Sequence, residues 1–171
     1  MAIVTYVLEA ALEHRDSMGN GSVIRPGDVQ YMSAGTGLTP SEFNASKTEP
    51  LRPYQIWMFP EKQGLKPAYD QKNFSEADER GKLRLIASPD GRDGSVKIRQ
   101  DHELYATVLG GGQSVKHELK PNRHAYVHVT RGSVKLNGKE LLEGDGAALS
   151  LEPSIKLIGV KDAEALLFDL A

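Results

Sequence analysis

The chain has 171 residues, 39% of them hydrophobic, and a formal net charge of -2, enough apolar material for one large or two small cores. The balanced charge carries no basic run and so no footprint for nucleic acid, and no apolar run approaches the ~18–20 residues of a membrane span. With no cysteine, disulfides, thiolate metal sites and thiol nucleophiles are excluded, in keeping with a reducing cytoplasm, where the protein is expected.

In chain order the sequence reads as many short strands with almost no helix. Apolar and β-branched runs fall at residues 3–9, 12–15, 29–33, 54–59, 83–87, 96–100, 104–109, 125–130, 133–136, 155–160 and 165–168. Clusters of Gly, Pro, Asn and Asp separate them. Asn137-Gly138, between Val134-Lys135-Leu136 and Leu141-Leu142, predicts a two-residue hairpin, because both residues tolerate the positive φ of a type I′ turn. Residues 75–80 alone suggest a helical turn, with acidic residues placed to suit the helix dipole. Strands at this density imply an all-β sandwich or barrel. The polar stretch in the middle suggests a linker over 61–82, between an N-terminal domain over 1–60 and a C-terminal domain over 83–171.

Five histidines invite a metal reading, and most fail it. His124 and His128 share a strand face but stand about 13 Å apart at ~3.3 Å per residue, too far for one metal; they read as an outward polar face over Ala125, Val127 and Val129. His117, between Lys116 and Glu118, reads as solvated, and His102 as a surface-turn residue. His14 shares a face with Leu12 and is expected to point into a cavity, where a lone imidazole is first of all a hydrogen-bonded core group. Gly110-Gly111-Gly112 lacks the Lys-Ser/Thr and the helix of a phosphate loop.

The stretch Met32-Ser33-Ala34-Gly35-Thr36-Gly37-Leu38-Thr39-Pro40-Ser41-Glu42-Phe43-Asn44 resembles the second cupin motif of the pirin family. The likeness runs on through residues 3–9 and 12–20, Pro26-Gly27-Asp28, Tyr54-Gln55-Ile56-Trp57, residues 88–95, Gln100-Asp101 and the closing 166–170. Together these are similar to the short bacterial branch with quercetin 2,3-dioxygenase-like members. The resemblance implies a bicupin of two cupin-type β-barrels, and a transition metal, iron or another divalent ion, held by three His and one Glu. Glu42 matches the family's glutamate, a ligand and a base for a flavonol hydroxyl. Pro40 stands where one His would be, and proline offers neither a lone pair nor an N–H. The other two His belong to a His-Pro-His-Arg-Asp stretch that would precede Met1, so the N-terminal cupin is expected to be incomplete. Ala2 replaces a family Glu. Ala10 replaces a turn Gly, so the hairpin there is expected to be reshaped.

On this reading Glu42 is a vestigial base and vestigial metal ligand, His14 lines the cavity, and no cofactor is expected. The first functional expectation is a pirin-like protein without metal or catalysis, acting as a binding or regulatory module. The alternatives are a metal-dependent quercetin 2,3-dioxygenase-like enzyme and a self-associating fragment of a longer pirin. A flavonol-like small molecule is the ligand the resemblance offers, and the missing imidazoles count against it. An open sheet edge templates association, so a homodimer is expected, with residues 3–8 and 54–59 at the contact.

Overall fold

The computed structural model describes residues 1–15, 21–33, 41–60, 62 and 64–171; Pro40 lies outside this set. Among the described residues fifteen strands, one α-helical turn and a 3-10 turn (Arg92–Gly94, after β8) follow in order: β1 (Ala2–Glu9), β2 (Leu12–Arg15), β3 (Gly21–Ile24), β4 (Asp28–Ser33), β5 (Ser41–Asn44), β6 (Arg52–Met58), β7 (Ala68–Asn73), α1 (Glu76–Glu79), β8 (Arg84–Ser88), β9 (Val96–Lys97), β10 (His102–Leu109), β11 (Ser114–Glu118), β12 (His124–Leu136), β13 (Lys139–Leu142), β14 (Gly146–Leu149) and β15 (Ser154–Leu170). The all-β expectation holds. Two compact units form, one of Met1–Phe74 with Val96–Gln100, the other of Ser75–Ser95 with Asp101–Ala171.

In the first unit a four-stranded antiparallel sheet runs β6-β1-β4-β7, and a three-stranded sheet runs β3-β2-β5. Val7, Leu12 and Ile24 form a small apolar cluster between them, with Leu51 packed against it. β1 is the inner strand: it pairs with β4 on one side and β6 on the other, and Ile3 to Leu8 are buried. The expectation that residues 3–8 flank an open edge is therefore corrected. Among the described residues the edge strand on that side is β6. Two further differences concern the middle of the chain. Residues 68–73, inside the stretch read as a linker, form β7 and pair with β4. Residues 96–100, read as part of the C-terminal domain, belong with the first unit instead. There the Lys97 N–H donates to Asp70 (3.3 Å) and Arg99 donates to the Lys66 carbonyl (2.6 Å).

Ala10 keeps the turn rather than reshaping it, sitting at φ 58° in the left-handed region. The helical turn appears as expected: α1 begins at Ser75 with a reciprocal cap between Ser75 and Asp78, satisfying backbone donors that the first turn leaves open.

The second unit is organised around β12 and β15, with strand order β13-β12-β15-β10-β8; β11 adds to β15 and β14 to β12. Asn137 and Gly138 adopt φ 46° and 86° and close the β12–β13 hairpin in the register Leu136↔Lys139. The sequence reading divides both long strands in two, and the structure joins them. Gly132 (φ 66°) sits where β12 shifts register against β15, a bulge that bends a strand while its pairing continues. The core draws on alternate residues of the long strands, among them Val127, Val129, Val134, Ile155, Leu157, Ala165 and Leu167.

Candidate functional site in the N-terminal unit

Strand alternation decides what faces the space between the two sheets of the first unit. On β2, Glu13 and Arg15 point outward and pair with each other at 2.8 Å, while Leu12 and His14 are buried. β2 and β5 pair antiparallel with His14 opposite Glu42, which puts imidazole and carboxylate on one side. His14 is only 4% exposed, and its Nδ1 lies 3.9 Å from Glu42 Oε1, beyond hydrogen-bond length. That Nδ1 has no hydrogen-bond partner among the described residues. The other carboxylate oxygen of Glu42 accepts a hydrogen bond from the Gln55 amide on β6.

Gln55 belongs to a polar row across the larger sheet. The register aligns Gln55 with Thr5, Thr5 with Gln30, and Gln30 with Gln71. At the far end of this row the partners satisfy one another. Gln30 donates to Ser22 Oγ (3.1 Å) and Tyr69 Oη (3.2 Å), Tyr69 donates to Gln71 Oε1 (2.6 Å), and Gln71 donates to Asp28 (3.2 Å) and to the Val23 carbonyl (3.3 Å). The near end, at His14, Glu42 and Gln55, is where an acceptor-or-donor position stays open. Buried polar groups without partners are costly and rare; among the described residues His14 Nδ1 is one of several, with His102 Nδ1 and Thr107 Oγ1, and the one that lies beside a second candidate site residue, Glu42.

The two sequence candidates, His14 and Glu42, thus come together. Gln55 was missed: on β6 it reads as one more alternating residue, and only the approach of β5 gives it a carboxylate. The reading of His117 as solvated is corrected. Its Nε2 is 2.7 Å from Asp169 Oδ2, and its ring lies 4.8 Å from that of Tyr105. Arg123 donates to the other oxygen of Asp169 and, at 3.0 Å, to Asp101. Beside them Tyr105 donates to Glu103 (2.6 Å) and Arg92 pairs with Glu103 at 2.8 Å. Burial pushes the Tyr105 phenol well above its ordinary range. Burial also raises the Glu103 carboxyl, but the bonds from Arg92 and Tyr105 outweigh it and hold the carboxyl low. The carboxylates of this second cluster are tied to Arg92, Arg123 and His117, which marks it as a strut of the second unit. His102 is corrected too: it is the first residue of β10 and half-buried. His124 and Tyr126 are exposed while Ala125, Val127 and Val129 are buried, as the alternation predicts.

Two family models match the chain, pirin over residues 1–58 and the quercetinase C-terminal cupin domain over 85–170. Quercetin 2,3-dioxygenase of Escherichia coli K12 is 45% identical over 170 residues, which cover 99% of this chain and 72% of that protein. The chain belongs to the pirin family. A pirin-like protein of Caulobacter vibrioides is 36% identical over 172 residues, covering 100% of this pirin chain and 74% of that protein. Among solved structures, YhhW from E. coli superposes with a TM-score of 0.93 at 43% identity, covering 99% of this chain and 71% of that one. The same bacterial pirin in complex with nickel(II) gives 0.92 at 44%, with 99% and 72% coverage. The architecture of two cupin-type β units follows from these likenesses and from the sheets described above.

His14 is the sole imidazole in the first hundred residues, Pro40 has no donor atom to offer, and among the described residues no three His, Cys, Asp or Glu side chains converge to hold an ion. By themselves, His14 and Glu42, whose second oxygen is already engaged, are fewer donors than a transition metal requires. No helix among the described residues is long and apolar enough to cross a membrane.

Proposed function

We propose that this pirin chain acts as a metal-free binding or regulatory module, with its small-molecule site between the two sheets of the first unit. The observation that carries the reading is the pairing of a single imidazole, His14, with Glu42, whose carboxylate is tied to Gln55 rather than turned toward further imidazoles. A polar site of this kind, with His14 buried and Glu42 and Gln55 reaching solvent, orients a ligand by hydrogen bonds without a Lewis acid.

The second reading, a metal-dependent quercetin 2,3-dioxygenase, draws on the names that relatives carry. Because His14 is the one imidazole near Glu42 among the described residues, that reading requires further imidazoles supplied by a partner chain or by a segment outside this sequence. Elemental analysis of protein purified after growth with iron and nickel separates the two. The expected result is far less than about one metal per chain, and no oxygen-dependent loss of quercetin above a protein-free control. About one iron, copper, nickel or manganese per chain, removed by Glu42→Gln, would overturn the proposal.

A further inference from the structure

We infer that Asn137 is a modification site: a spontaneous deamidation centre that the second unit holds closed for as long as the start of β15 stays docked on the β12–β13 hairpin.

The chemistry begins in the sequence. Asn137-Gly138 is the turn of that hairpin, both residues are exposed, and nothing lies within 4 Å of where a β-carbon on Gly138 would stand. With no side chain on the following residue, the Gly138 peptide nitrogen can reach the amide carbon of Asn137. It forms a bond to Cγ and gives up its proton, the Cγ–Nδ2 bond breaks, and ammonia departs, leaving a five-membered succinimide. Water then opens the ring at either carbonyl, giving an aspartate or its β-linked isomer at position 137. Nothing is oxidised or reduced, and water is the one co-reactant.

The fold opposes the first step. The Asn137 amide is engaged with β15: Nδ2 donates to the Ser154 carbonyl (3.1 Å), and Oδ1 accepts from the Lys156 N–H (2.8 Å). The Asn137 N–H donates to the Lys156 carbonyl at 3.0 Å, so side chain and main chain together copy one rung of a strand ladder. Attack on Cγ requires the amide to turn out of this arrangement, which breaks both side-chain bonds. The product cannot resume the place. A carboxylate only accepts, so the Ser154 carbonyl would face a negative oxygen where it had a donor. The β-linked isomer adds a main-chain atom to a two-residue turn whose geometry sets the register of the hairpin. The reaction therefore makes a lasting record of the hairpin's release from β15.

Peptide mapping by mass spectrometry tests this on wild-type protein held in mildly alkaline buffer, with and without denaturing urea. The other Asn-Gly pair of the chain, Asn20-Gly21, gives the intrinsic rate within the same urea sample. Asn137 is expected to match it there and to react at least about tenfold more slowly in native protein, the effect of two hydrogen bonds that must open first. Asn137→Asp isolates the product: its thermal unfolding should fall below wild type near neutral pH. The gap should narrow as pH falls through the carboxyl range, because a protonated carboxyl regains a donor for the Ser154 carbonyl. Equal rates for Asn137 in native and unfolded protein overturn the inference, and so does Asn137→Asp with wild-type stability at every pH. Should that variant not fold, the two wild-type rates decide.

Discussion

Ala10 holds a backbone conformation that a β-carbon disfavours by about 1–2 kcal/mol, at φ 58° between β1 and β2. Glycine relieves that strain and adds freedom to the unfolded chain worth about 0.4–1 kcal/mol in the opposite sense. Ala10→Gly is therefore expected to stabilise by roughly 0.5 kcal/mol, seen as a higher urea midpoint with unchanged slope; a lower midpoint would count against the strain. Residue 40 gives a second test. Pro40→His adds one imidazole to a unit that has only His14, still short of the family's three, so quercetin turnover is not expected to appear in an oxygen-uptake assay. At Glu103 the sign of a pH effect can be worked out. Against the upward push of burial, Arg92 and Tyr105 hold its folded carboxyl below the ordinary value of 4.5. The resulting stability is present above that value and is lost as pH falls through the folded pKa. Glu103→Gln should cost about 1–2 kcal/mol at pH 7, and the gap from wild type should close in denaturant titrations repeated in strongly acidic buffer.

Among the strands, the long pair β12 and β15 depends on one glycine. A β-carbon on Gly132 would stand 2.2 Å from the Lys161 carbonyl oxygen and 2.4 Å from that of Asp162, so backbone must move. Gly132→Ala is expected to destabilise by about 2–4 kcal/mol, the range of a strained backbone position, measured by thermal unfolding. What could be read in advance at this level followed chemistry local to a few residues. Asn137-Gly138 announces its turn because two consecutive residues must take positive φ, and the acidic residues within 75–80 announce a helical turn. β7 gave no such signal. Its sequence, Ala-Tyr-Asp-Gln-Lys-Asn, is polar because Tyr69, itself exposed, and Gln71 hydrogen-bond to their neighbours instead of packing apolarly. β12 read as two strands because Gly132-Ser133 looks like a break, and only the register shift against β15 makes it a bulge. The site divided in the same way. His14 and Glu42 were legible, one from its face and one from the resemblance; Gln55 and the His117–Asp169 pair rest on contacts 13 and 52 residues apart, which no local pattern encodes.

For the molecule as a whole, β6 leaves one sheet edge with a single described partner strand, β1, and it carries Trp57 exposed, with Phe59 exposed just beyond it. An edge of this kind templates pairing, and closed two-fold association is the common outcome. We propose that the homodimer expected from the sequence forms along β6 rather than β1. Light scattering over a micromolar concentration series is expected to show a dimer that Trp57→Lys with Phe59→Lys weakens; a monomer at every concentration rejects it.

β15 also has a consequence in time. Residues 154–170 supply the pairing partner of β10, β11 and β12, the last from His124 to Leu136, with His102 and His124 both opposite Leu170. A chain emerging from the ribosome therefore holds β10, β11 and β12 with their main partner still unmade. Their apolar faces must wait for the last strand in the order. Because such non-local pairing makes folding slow, on the order of milliseconds to seconds, the second unit passes through an interval in which chaperones and aggregation compete for it. A nascent chain stalled ahead of Ser154 should be protease-sensitive from Arg84 onward, and one extended through Leu170 should become resistant in a single cooperative step.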